Sequence, residues 1–435
     1  MERFALSRMK EWKENENRKP LIIRGARQVG KTWIMKTFGQ QYFEKIAYVN
    51  FDNNARMKQV FEGDLDIERL VLAISAETGV SIEAENTLII FDEIQEVPKA
   101  LTSLKYFHEN APQYAIVAAG SLLGVALHQG TSFPVGKVDF LDLYPLNFRE
   151  FLCAMGEKQF VSMLDSCDTQ MVTVFKTKYI ERLREYYFVG GMPEVVKDFS
   201  EKKDYNRVRA IQKNLINYYQ QDFSKHAEIK LVPRLNLVWN SIPMQLAKEN
   251  KKYIYGQVRE GSRAKDFELA IQWLLDCGLI HKVQRIQKPD LPLKAYIDFD
   301  AFKLFLVDIG LLIAMTDLDA KVIIEGNKIF TEFNGSLTEQ YILQQLISDV
   351  GVIPYYYSTQ NSKGEIDFLV QGKTSVIPIE VKAEENLKAK SLKAFCEKYQ
   401  PSYAVRTSMS DYREQDWMTN IPLYAIKWIE NYVNQ

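Results

Sequence analysis

The sequence has little of what disulfide-rich or metal-rich proteins need. Its 435 residues contain only four cysteines, and none of them forms a C-x-x-C pair. They are Cys153, Cys167, Cys277 and Cys396. This spacing indicates scattered thiols in a reducing compartment rather than a disulfide framework or a zinc site. The four histidines are also far apart, so the ligand spacing of a histidine metal site is missing.

Long apolar runs and an excess of one charge are also missing. No window approaches the roughly 18 consecutive apolar residues of a membrane span, and the N-terminus lacks the apolar segment of a signal peptide. We therefore expect a cytoplasmic protein without membrane contact. The formal net charge of −1 gives no overall attraction to nucleic acid, so any DNA contact requires a local basic patch. The length favours about two to four globular domains.

What the sequence does contain is a phosphate-binding loop. Residues 25–32 read GARQVGKT and match the Walker A pattern G-x-x-x-x-G-K-[ST]. They lie between an apolar strand candidate and a helix candidate, which is the context that this loop requires. Backbone N–H groups of such a loop surround a phosphate, and the helix N-terminus adds its positive end. We expect ATP to be bound by Gly25, Arg27, Gln28, Val29, Gly30, Lys31 and Thr32.

Individual roles follow from the chemistry of this class of loop. Lys31 is predicted to reach the β- and γ-phosphates, and Thr32 to hold Mg²⁺ through its hydroxyl. The apolar run at 88–91 ends in Asp92 and Glu93. An acid in the first of these positions holds the metal, and a second acid polarises the attacking water as general base. We assign Asp92 to Mg²⁺ and Glu93 to the water.

Apolar strands alternate with helical segments through the first third of the chain. The strand candidates are residues 21–23, 46–51, 88–91, 115–119 and 138–143. This alternation predicts an α/β domain at residues 1–147, with an AAA/ASCE-type parallel sheet and helices on both faces. Its catalytic loops should lie at the carboxyl ends of the strands. Ser121, just after the fourth strand, is a candidate sensor of the γ-phosphate or a helix N-cap.

The next segment, residues 148–225, is predicted to form a helical lid region. Arg149, near its start, is a candidate arginine finger that would act on the phosphate of a neighbouring subunit. An ordinary solvated position on a helix is the alternative for this residue.

A winged helix-turn-helix is predicted at residues 226–318. The pattern is a helix at 265–277 followed by two strands at 278–283 and 295–299. The helix itself is mostly apolar and of mixed charge. Its expected phosphate contacts are Arg259, Arg263 and Lys265. Packing against protein is the alternative to DNA binding for this element.

A second chemical constellation lies in residues 319–435. Two strand candidates, 364–370 and 375–382, are joined by a turn. A turn centred on Lys373 and Thr374 gives one face that is entirely apolar. Burial of that face supports this register, because a one-residue slip would turn every side chain over. That face would hold Ile366 opposite Val381, Phe368 opposite Ile379 and Val370 opposite Ile377.

On the other face the same register predicts that Asp367 lies opposite Glu380, with Lys382 beside them. Facing carboxylates repel unless a cation lies between them. A divalent metal is the expected cation, and the lysine is then placed to stabilise phosphate charge. This is the pattern of the PD-(D/E)XK nuclease fold, and Glu339 on a helix at 337–346 fits an additional acid. The alternative is a solvated strand face of alternating charge.

The chain as a whole resembles a large prokaryotic family of ATP-binding proteins. The residues that carry the resemblance are 24–32, 91–95, 119–121, 144–146, 190–194 and the strands around Asp367 and Glu380. The resemblance implies an N-terminal AAA-like P-loop ATPase. It also implies a C-terminal domain of unknown function with a restriction-endonuclease-like core.

Three functions are open on these grounds. The first is a Mg²⁺-dependent ATPase that acts as a nucleotide-driven switch for the nuclease-like module. The second is an ATP-regulated DNA nuclease with Mg²⁺ or Mn²⁺ at Asp367, Glu380 and Glu339. The third is a non-catalytic scaffold for a protein partner, against which the intact Walker residues weigh. DNA and further copies of the chain are the candidate partners.

Overall fold

The computed structural model of the chain describes most of its residues. The described ranges are 1–121, 133–248, 251–324, 331–359, 364–385 and 389–435, without the side chains of 331–334. The chain divides into two compact units. The N-terminal unit consists of residues 2–144 and 276–279, and the C-terminal unit of residue 1, residues 145–275 and residues 280–435. Across the described ranges, no helix is both long and apolar enough to span a membrane.

A five-stranded sheet forms the centre of the N-terminal unit. Its strands are β1 (Leu21–Arg24), β2 (Lys45–Asn50), β3 (Thr87–Asp92), β4 (Ala115–Ala119) and β5 (Asp139–Asp142). They pair in the order β2-β3-β4-β1-β5, and every pairing is parallel. The predicted parallel α/β sheet is confirmed, and each predicted strand lies within about two residues of an observed one. β4 lies between β1, which precedes the phosphate-binding loop, and β3, which ends in Asp92, as expected for an ASCE-type core.

The helices of this unit have recognisable start and stop signals. The described ones are α1 (Ala5–Glu14), α2 (Lys31–Tyr42), α3 (Ala55–Glu62), α4 (Ile67–Thr78) and α5 (Pro98–Asn110). Asp66 caps α4 by accepting a hydrogen bond from the Arg69 amide, and Gly79 ends it in the left-handed region at φ 69°. Pro98 occupies the first turn of α5, where a missing N–H is tolerated.

Aromatic packing closes one face of the sheet. The rings of Phe51, Phe61 and Phe91 meet edge to face, with centroids 5.4 to 5.8 Å apart. All three side chains are buried in the same hydrophobic cluster. Because Phe91 directly precedes Asp92, this packing fixes the end of β3 and so the position of the acid.

Helices dominate the first part of the C-terminal unit. They are α6 (Phe148–Ala154), α7 (Lys158–Asp165), α8 (Thr169–Val174), α9 (Lys176–Val189), α10 (Pro193–Lys202), α11 (Tyr205–His226), α12 (Val232–Leu246), α13 (Tyr255–Val258) and α14 (Ala264–Asp276). Later helices are α15 (Ile309–Met315), α16 (Ala320–Ile324), α17 (Thr331–Gln345), α18 (Lys390–Tyr399) and α19 (Glu430–Val433). Helix α6 begins with a capping box, in which Asn147 and Glu150 bond each other's backbone amides.

A mixed eight-stranded sheet occupies the rest of this unit. Its strands are β6 (Ile280–Ile286), β7 (Ile297–Leu306), β8 (Tyr355–Ser358), β9 (Glu365–Gln371), β10 (Val376–Val381), β11 (Val405–Ser408), β12 (Arg413–Gln415) and β13 (Met418–Pro422). They pair in the order β12-β13-β11-β10-β9-β8-β6-β7. The predicted hairpin after α14 is present as β6 and β7. β6 also pairs with β8 in parallel, so this hairpin is one edge of the larger sheet, which the sequence did not indicate.

The register of β9 and β10 agrees with the prediction over part of its length. Phe368 faces Ile379 and Val370 faces Ile377. On the other side of β9, its pairing with β8 shifts between Tyr355 and Tyr357. Such a shift marks a bulge and interrupts the alternation of side chains.

The described pairs of β9 with β10 stop one position short of Asp367 and Glu380, so their direct pairing stays a prediction. Ile366 and Leu369, three residues apart, both join one hydrophobic cluster, which strict alternation forbids. The Asp367 Oδ2 accepts a hydrogen bond from the Val381 amide at 2.7 Å, so a side chain takes the place of the ladder bond. The described pairs end at Phe368 and Ile379.

Asp308 joins three segments of the C-terminal unit. It is fully buried, caps α15 by accepting from the Leu311 amide at 3.1 Å, and accepts from the Gly191 amide at 2.6 Å. Gln344 of α17 adds a donor at 3.3 Å. Gly190 must be glycine here, because a Cβ would lie 2.2 Å from Asp308 Oδ1 and φ is +73°. Burial raises the pKa of Asp308 to about 6, although the amide donors oppose this.

We predict that the stability of this unit falls between pH 4 and 6. The unfolded carboxyl releases its proton near pH 4, whereas the folded one keeps it up to about pH 6. The raised pKa therefore favours folding at low pH, and that advantage is lost as pH rises. The free energy of unfolding of wild type should drop by about 3 kcal/mol relative to Asp308→Asn. Urea unfolding of both proteins at pH 4 and pH 6 measures this difference. Free energies of unfolding that change equally with pH in wild type and Asp308→Asn would contradict the prediction.

Candidate functional site

The backbone of residues 25–30 forms a tight loop between β1 and α2. Gly25 has φ +145°, and a Cβ there would lie 2.1 Å from the Leu143 carbonyl oxygen. Gly30 has φ 95° and is the N-cap of α2, and Gln28 also has a positive φ of 66°. These conformations explain the two glycines of the motif and turn the loop toward the helix N-terminus.

Lys31 is held inside this loop. Its side chain is buried, and Nζ donates to the Gly25 carbonyl at 2.9 Å and to the Ala26 carbonyl at 2.8 Å. Burial lowers the pKa of Lys31 to about 8, while Glu93 and Asp92 raise it. The ammonium therefore lies among the backbone groups that surround a phosphate, and carbonyl oxygens occupy its donors.

Thr32 and Asp92 meet where Mg²⁺ is expected. The Thr32 Oγ1 donates to Asp92 Oδ2 at 2.7 Å, and Asp92 is buried at the end of β3. Both are hard oxygen donors of the kind that Mg²⁺ binds beside a nucleotide. The residues present therefore fit a Mg²⁺ ion that comes with ATP.

Tyr48 is part of this cluster although it was not predicted. Its hydroxyl donates to the same Asp92 oxygen at 2.9 Å, and burial together with Asp92 raises the pKa of the hydroxyl, so it stays a donor. The Lys36 ammonium lies 3.8 Å from the centre of the Tyr48 ring. The alternation in β2 was the available signal, because buried Ala47 and Val49 turn Tyr48 to the opposite side.

Glu93 is held beside Asp92 by a left-handed backbone conformation and by three hydrogen-bond donors. Its φ and ψ of 50° and 45° are left-handed, which is uncommon for a non-glycine residue. Ser121 donates from Oγ to Oε1 at 2.9 Å and from its amide to Oε2 at 3.3 Å. Gln95, which the sequence did not single out, donates to Oε2 at 2.7 Å. Burial raises the pKa of Glu93, but these donors and Lys31 more than offset it, so the net shift is downward.

Ser121 thus contacts Glu93, the residue that we expect to polarise the attacking water. The residues that follow Ser121, up to 132, lie outside the described ranges. Its predicted roles as phosphate sensor or helix cap stay predictions, and its observed contact is with Glu93.

The remaining loop residues differ in exposure. Arg27 and Gln28 are exposed, whereas Val29 is fully buried. Arg3 donates to the Val29 carbonyl at 3.0 Å and also contacts the Tyr144 carbonyl. Val29 is therefore a core residue whose contribution to a nucleotide site is limited to its backbone.

The C-terminal acids lie among lysines. Glu339 accepts from Lys251 and lies 3.5 Å from the Lys303 ammonium through Oε2. Lys303 also donates to Glu365, and Glu339 shares a hydrogen bond with Asp367. Burial and then Glu339 raise the pKa of Asp367 above its usual range. The pKa of Glu339 is lowered, since Lys251 and Lys303 outweigh the effect of burial.

Glu380 has different neighbours. It is buried and pairs with Lys382, with Oε1 2.8 Å from Nζ, and Arg406 lies beside it on β11. Within the described ranges no three acidic, histidine or cysteine side chains are grouped so that they could hold a metal ion. The residues present therefore do not fit the divalent metal that we predicted at Asp367, Glu380 and Glu339.

Arg149 makes ion pairs inside the C-terminal unit. Its guanidinium donates to Asp349 at 2.8 Å and contacts Asp165. Only 11% of its side chain is exposed, so it is not a solvated helix residue. This engagement does not fit the predicted role as a finger.

The segment that contains the phosphate-binding loop matches a known protein family. Residues 17–152 match the family model described as an AAA domain. Two further models, both described as domains of unknown function, match residues 180–322 (DUF8612) and 334–426 (DUF4143). Residues 17–152, which include the phosphate-binding loop, are therefore similar to an AAA domain. A search of curated proteins found no match.

Several solved structures resemble the chain at low identity. A Walker-type ATPase of Pyrococcus abyssi is 15% identical, with 72% of this chain and 95% of that chain covered and a TM-score of 0.44. The ORC1 protein of Aeropyrum pernix in complex with DNA is 14% identical over 72% and 91% of the chains, at 0.27. Drosophila ORC bound to DNA is 12% identical over 69% and 90%, at 0.26.

We predict that Tyr48→Phe raises the Mg²⁺ concentration that ATP hydrolysis requires without abolishing hydrolysis. Loss of a hydrogen bond that orients a metal ligand typically weakens metal affinity by about 10-fold or more. The half-saturating Mg²⁺ concentration should rise accordingly, with the rate at saturating Mg²⁺ nearly unchanged. Tyr106→Phe, in the same unit, is the control. Identical Mg²⁺ titrations for Tyr48→Phe and wild type would refute the assignment.

Proposed function

We propose that this chain is a Mg²⁺-dependent ATPase whose nucleotide state acts as a switch for the C-terminal unit. The contact between Thr32 and Asp92 at 2.7 Å, directly beside Lys31, carries the proposal. It joins the end of the phosphate loop to the end of the acid strand, where a nucleotide-bound Mg²⁺ needs its protein oxygens. Glu93 next to it has a lowered pKa and is therefore ionised, as a base must be before it accepts a proton.

The residues suggest how hydrolysis proceeds. When ATP binds, Lys31 would exchange its two carbonyl acceptors for phosphate oxygens. Thr32 and Asp92 would hold Mg²⁺, which would neutralise phosphate charge. Glu93 accepts a proton from the water whose oxygen attacks the γ-phosphorus. The bond from that phosphorus to the β–γ bridging oxygen breaks, and ADP and phosphate form.

Glu93 needs a rearrangement before it can act in this way. Ser121 and Gln95 together satisfy both of its carboxylate oxygens. Accepting a proton from water requires that one donor be released. We infer that Ser121 holds the base in a resting position and that a bound γ-phosphate draws the serine away.

The first test of this function is Lys31→Ala. Removal of the ammonium should lower ATP turnover by at least about 100-fold, since it stabilises the charge that develops on the transferred phosphoryl group. Lys58→Ala removes an exposed lysine of α3 in the same unit and is the matched control. Phosphate release from purified protein measures the effect. Equal rates in Lys31→Ala and wild type would refute an ATPase.

Glu93→Gln separates hydrolysis from the switch. It should retain ATP but not hydrolyse it, because the amide cannot accept the proton. Hydrogen exchange of the C-terminal unit, compared with and without ATP in this variant, then reports the switch. Unchanged exchange would mean that nucleotide does not act as a switch for the C-terminal unit. If wild type itself binds ATP without hydrolysing it, the non-catalytic scaffold is favoured.

The finer organisation of the C-terminal unit is also proposed. We infer a helical lid at residues 148–225 and a winged helix-turn-helix at residues 226–318, in which α14 precedes the antiparallel strands β6 and β7. The nuclease-like interpretation of residues 319–435 draws support from the β9–β10 register. Its metal-dependent cleavage has no such support, because the acids are paired with lysines.

DNA is the second candidate ligand. Arg259, Arg263 and Lys265 are all exposed, and they lie just before and at the start of α14. We predict that Arg259→Ala with Arg263→Ala weakens DNA binding equally for all sequences and reduces the salt slope by about two. Lys197→Ala with Lys202→Ala on α10 is the charge-matched control. Unchanged affinity of the arginine pair would refute this surface.

A further inference from the structure

Five ionisable side chains form one group in the C-terminal unit. They are Lys251, Lys303, Glu339, Glu365 and Asp367, from four different segments of the chain, with Glu365 and Asp367 both on β9. Glu339 and Asp367 are two of the three acids around which the PD-(D/E)XK pattern places a divalent metal, and Glu365 lies at the start of β9. The third, Glu380, pairs with Lys382. Each acid contacts a lysine or another acid of the group, as described above.

Lys303 is the central cation of this group. Its side chain is only 1% exposed, and the ammonium lies 4.8 Å from the centre of the Tyr356 ring. A buried ammonium is stable only with opposite charges and acceptors around it. Glu339 and Glu365 supply them, and these carboxylates in turn need the ammonium to remain buried.

Lys251 approaches Glu339 from another direction. Its side chain is 12% exposed, and it contacts Glu339 Oε1, while Lys303 lies near Oε2. Lys251 therefore bonds one oxygen of this carboxylate, and the Lys303 ammonium lies near the other, which accepts no hydrogen bond from the described residues. On Asp367, the Val381 amide occupies Oδ2.

A divalent ion among these oxygens would have to displace the lysines. Mg²⁺ and Mn²⁺ require several oxygens directed at one point. Here Glu339 and Glu365 contact ammonium groups, and Asp367 contacts the Val381 amide and Glu339. A displaced Lys303 would remain buried beside the ion, with like charges close together in a medium of low dielectric.

We propose that Lys251 and Lys303 supply, from within the chain, the positive charge that a divalent metal supplies in a PD-(D/E)XK site. The C-terminal unit then binds neither Mg²⁺ nor Mn²⁺ at Glu339, Glu365 and Asp367. It keeps the form of the nuclease-like sheet without the metal chemistry. This inference concerns the C-terminal unit and is independent of the proposed ATPase.

The test counts Mn²⁺ bound to the full chain without nucleotide. Asp92→Asn is introduced throughout to remove the Walker carboxylate, and binding is followed by calorimetry and by the Mn²⁺ paramagnetic resonance signal. The Asp92→Asn protein and Asp92→Asn with Glu339→Gln should give the same isotherm. Adding Lys303→Met should create one Mn²⁺ site, and adding Glu339→Gln to that variant should remove the site again.

Two results overturn the proposal. One is Mn²⁺ bound by the Asp92→Asn protein and lost with Glu339→Gln, which would show that the metal displaces the lysines. The other is a folded Lys303→Met variant that gains no site, which would show that the lysine is not what excludes the ion. Where Lys303→Met does not fold by circular dichroism, Lys251→Met at the less buried position replaces it, and the first comparison stands by itself.

Discussion

The cost of burying a carboxylate shapes both compact units. An ionised carboxylate away from water must be matched by donors or cations. Three buried acids show three solutions. Asp92 is matched by the hydroxyls of Thr32 and Tyr48, Asp308 by the amides of Gly191 and Leu311 with Gln344, and Glu339 by the ammonium groups of Lys251 and Lys303.

These solutions differ in what they allow next. A hydroxyl that donates to Asp92 can turn its hydrogen away and offer a lone pair, so a metal ion can join the cluster without any cation having to leave. The lysines around Glu339 have no such alternative, because an ammonium is a donor only. The carboxylate of Asp92 can therefore accept Mg²⁺, whereas the carboxylate of Glu339 is already paired with lysines. Asp308 has a third role, since backbone amides neither leave nor titrate and the acid serves only the fold.

The features that sequence predicts well are local. Residues 25–32 carry their backbone geometry in their own glycines, and the strand that ends in Asp92 is an apolar run followed by acids. The turn at Lys373 and Thr374 sets the register of Phe368 with Ile379, because a hairpin fixes its pairs from the turn outward.

The features that sequence does not predict come from distant segments. Lys251 is 88 residues before Glu339, and Lys303 is 62 residues before Glu365, so no spacing rule connects them. The register shift beside Asp367 involves a third strand, β8. Tyr48 belongs to the neighbouring strand of Asp92, and its hydroxyl has meaning only once β2 and β3 are paired.

The pairing of β6 with β8 has a practical consequence for dissecting the molecule. These strands come from segments on either side of residue 319, and the matched family model of the last segment begins at residue 334. A fragment that started at either point would lack β6 and β7 and would leave the backbone of β8 without its neighbour. An exposed strand edge of this kind recruits other chains. Aggregation of such a fragment would then reflect a missing edge strand rather than an unstable fold, and a soluble fragment of this sheet has to begin before Ile280.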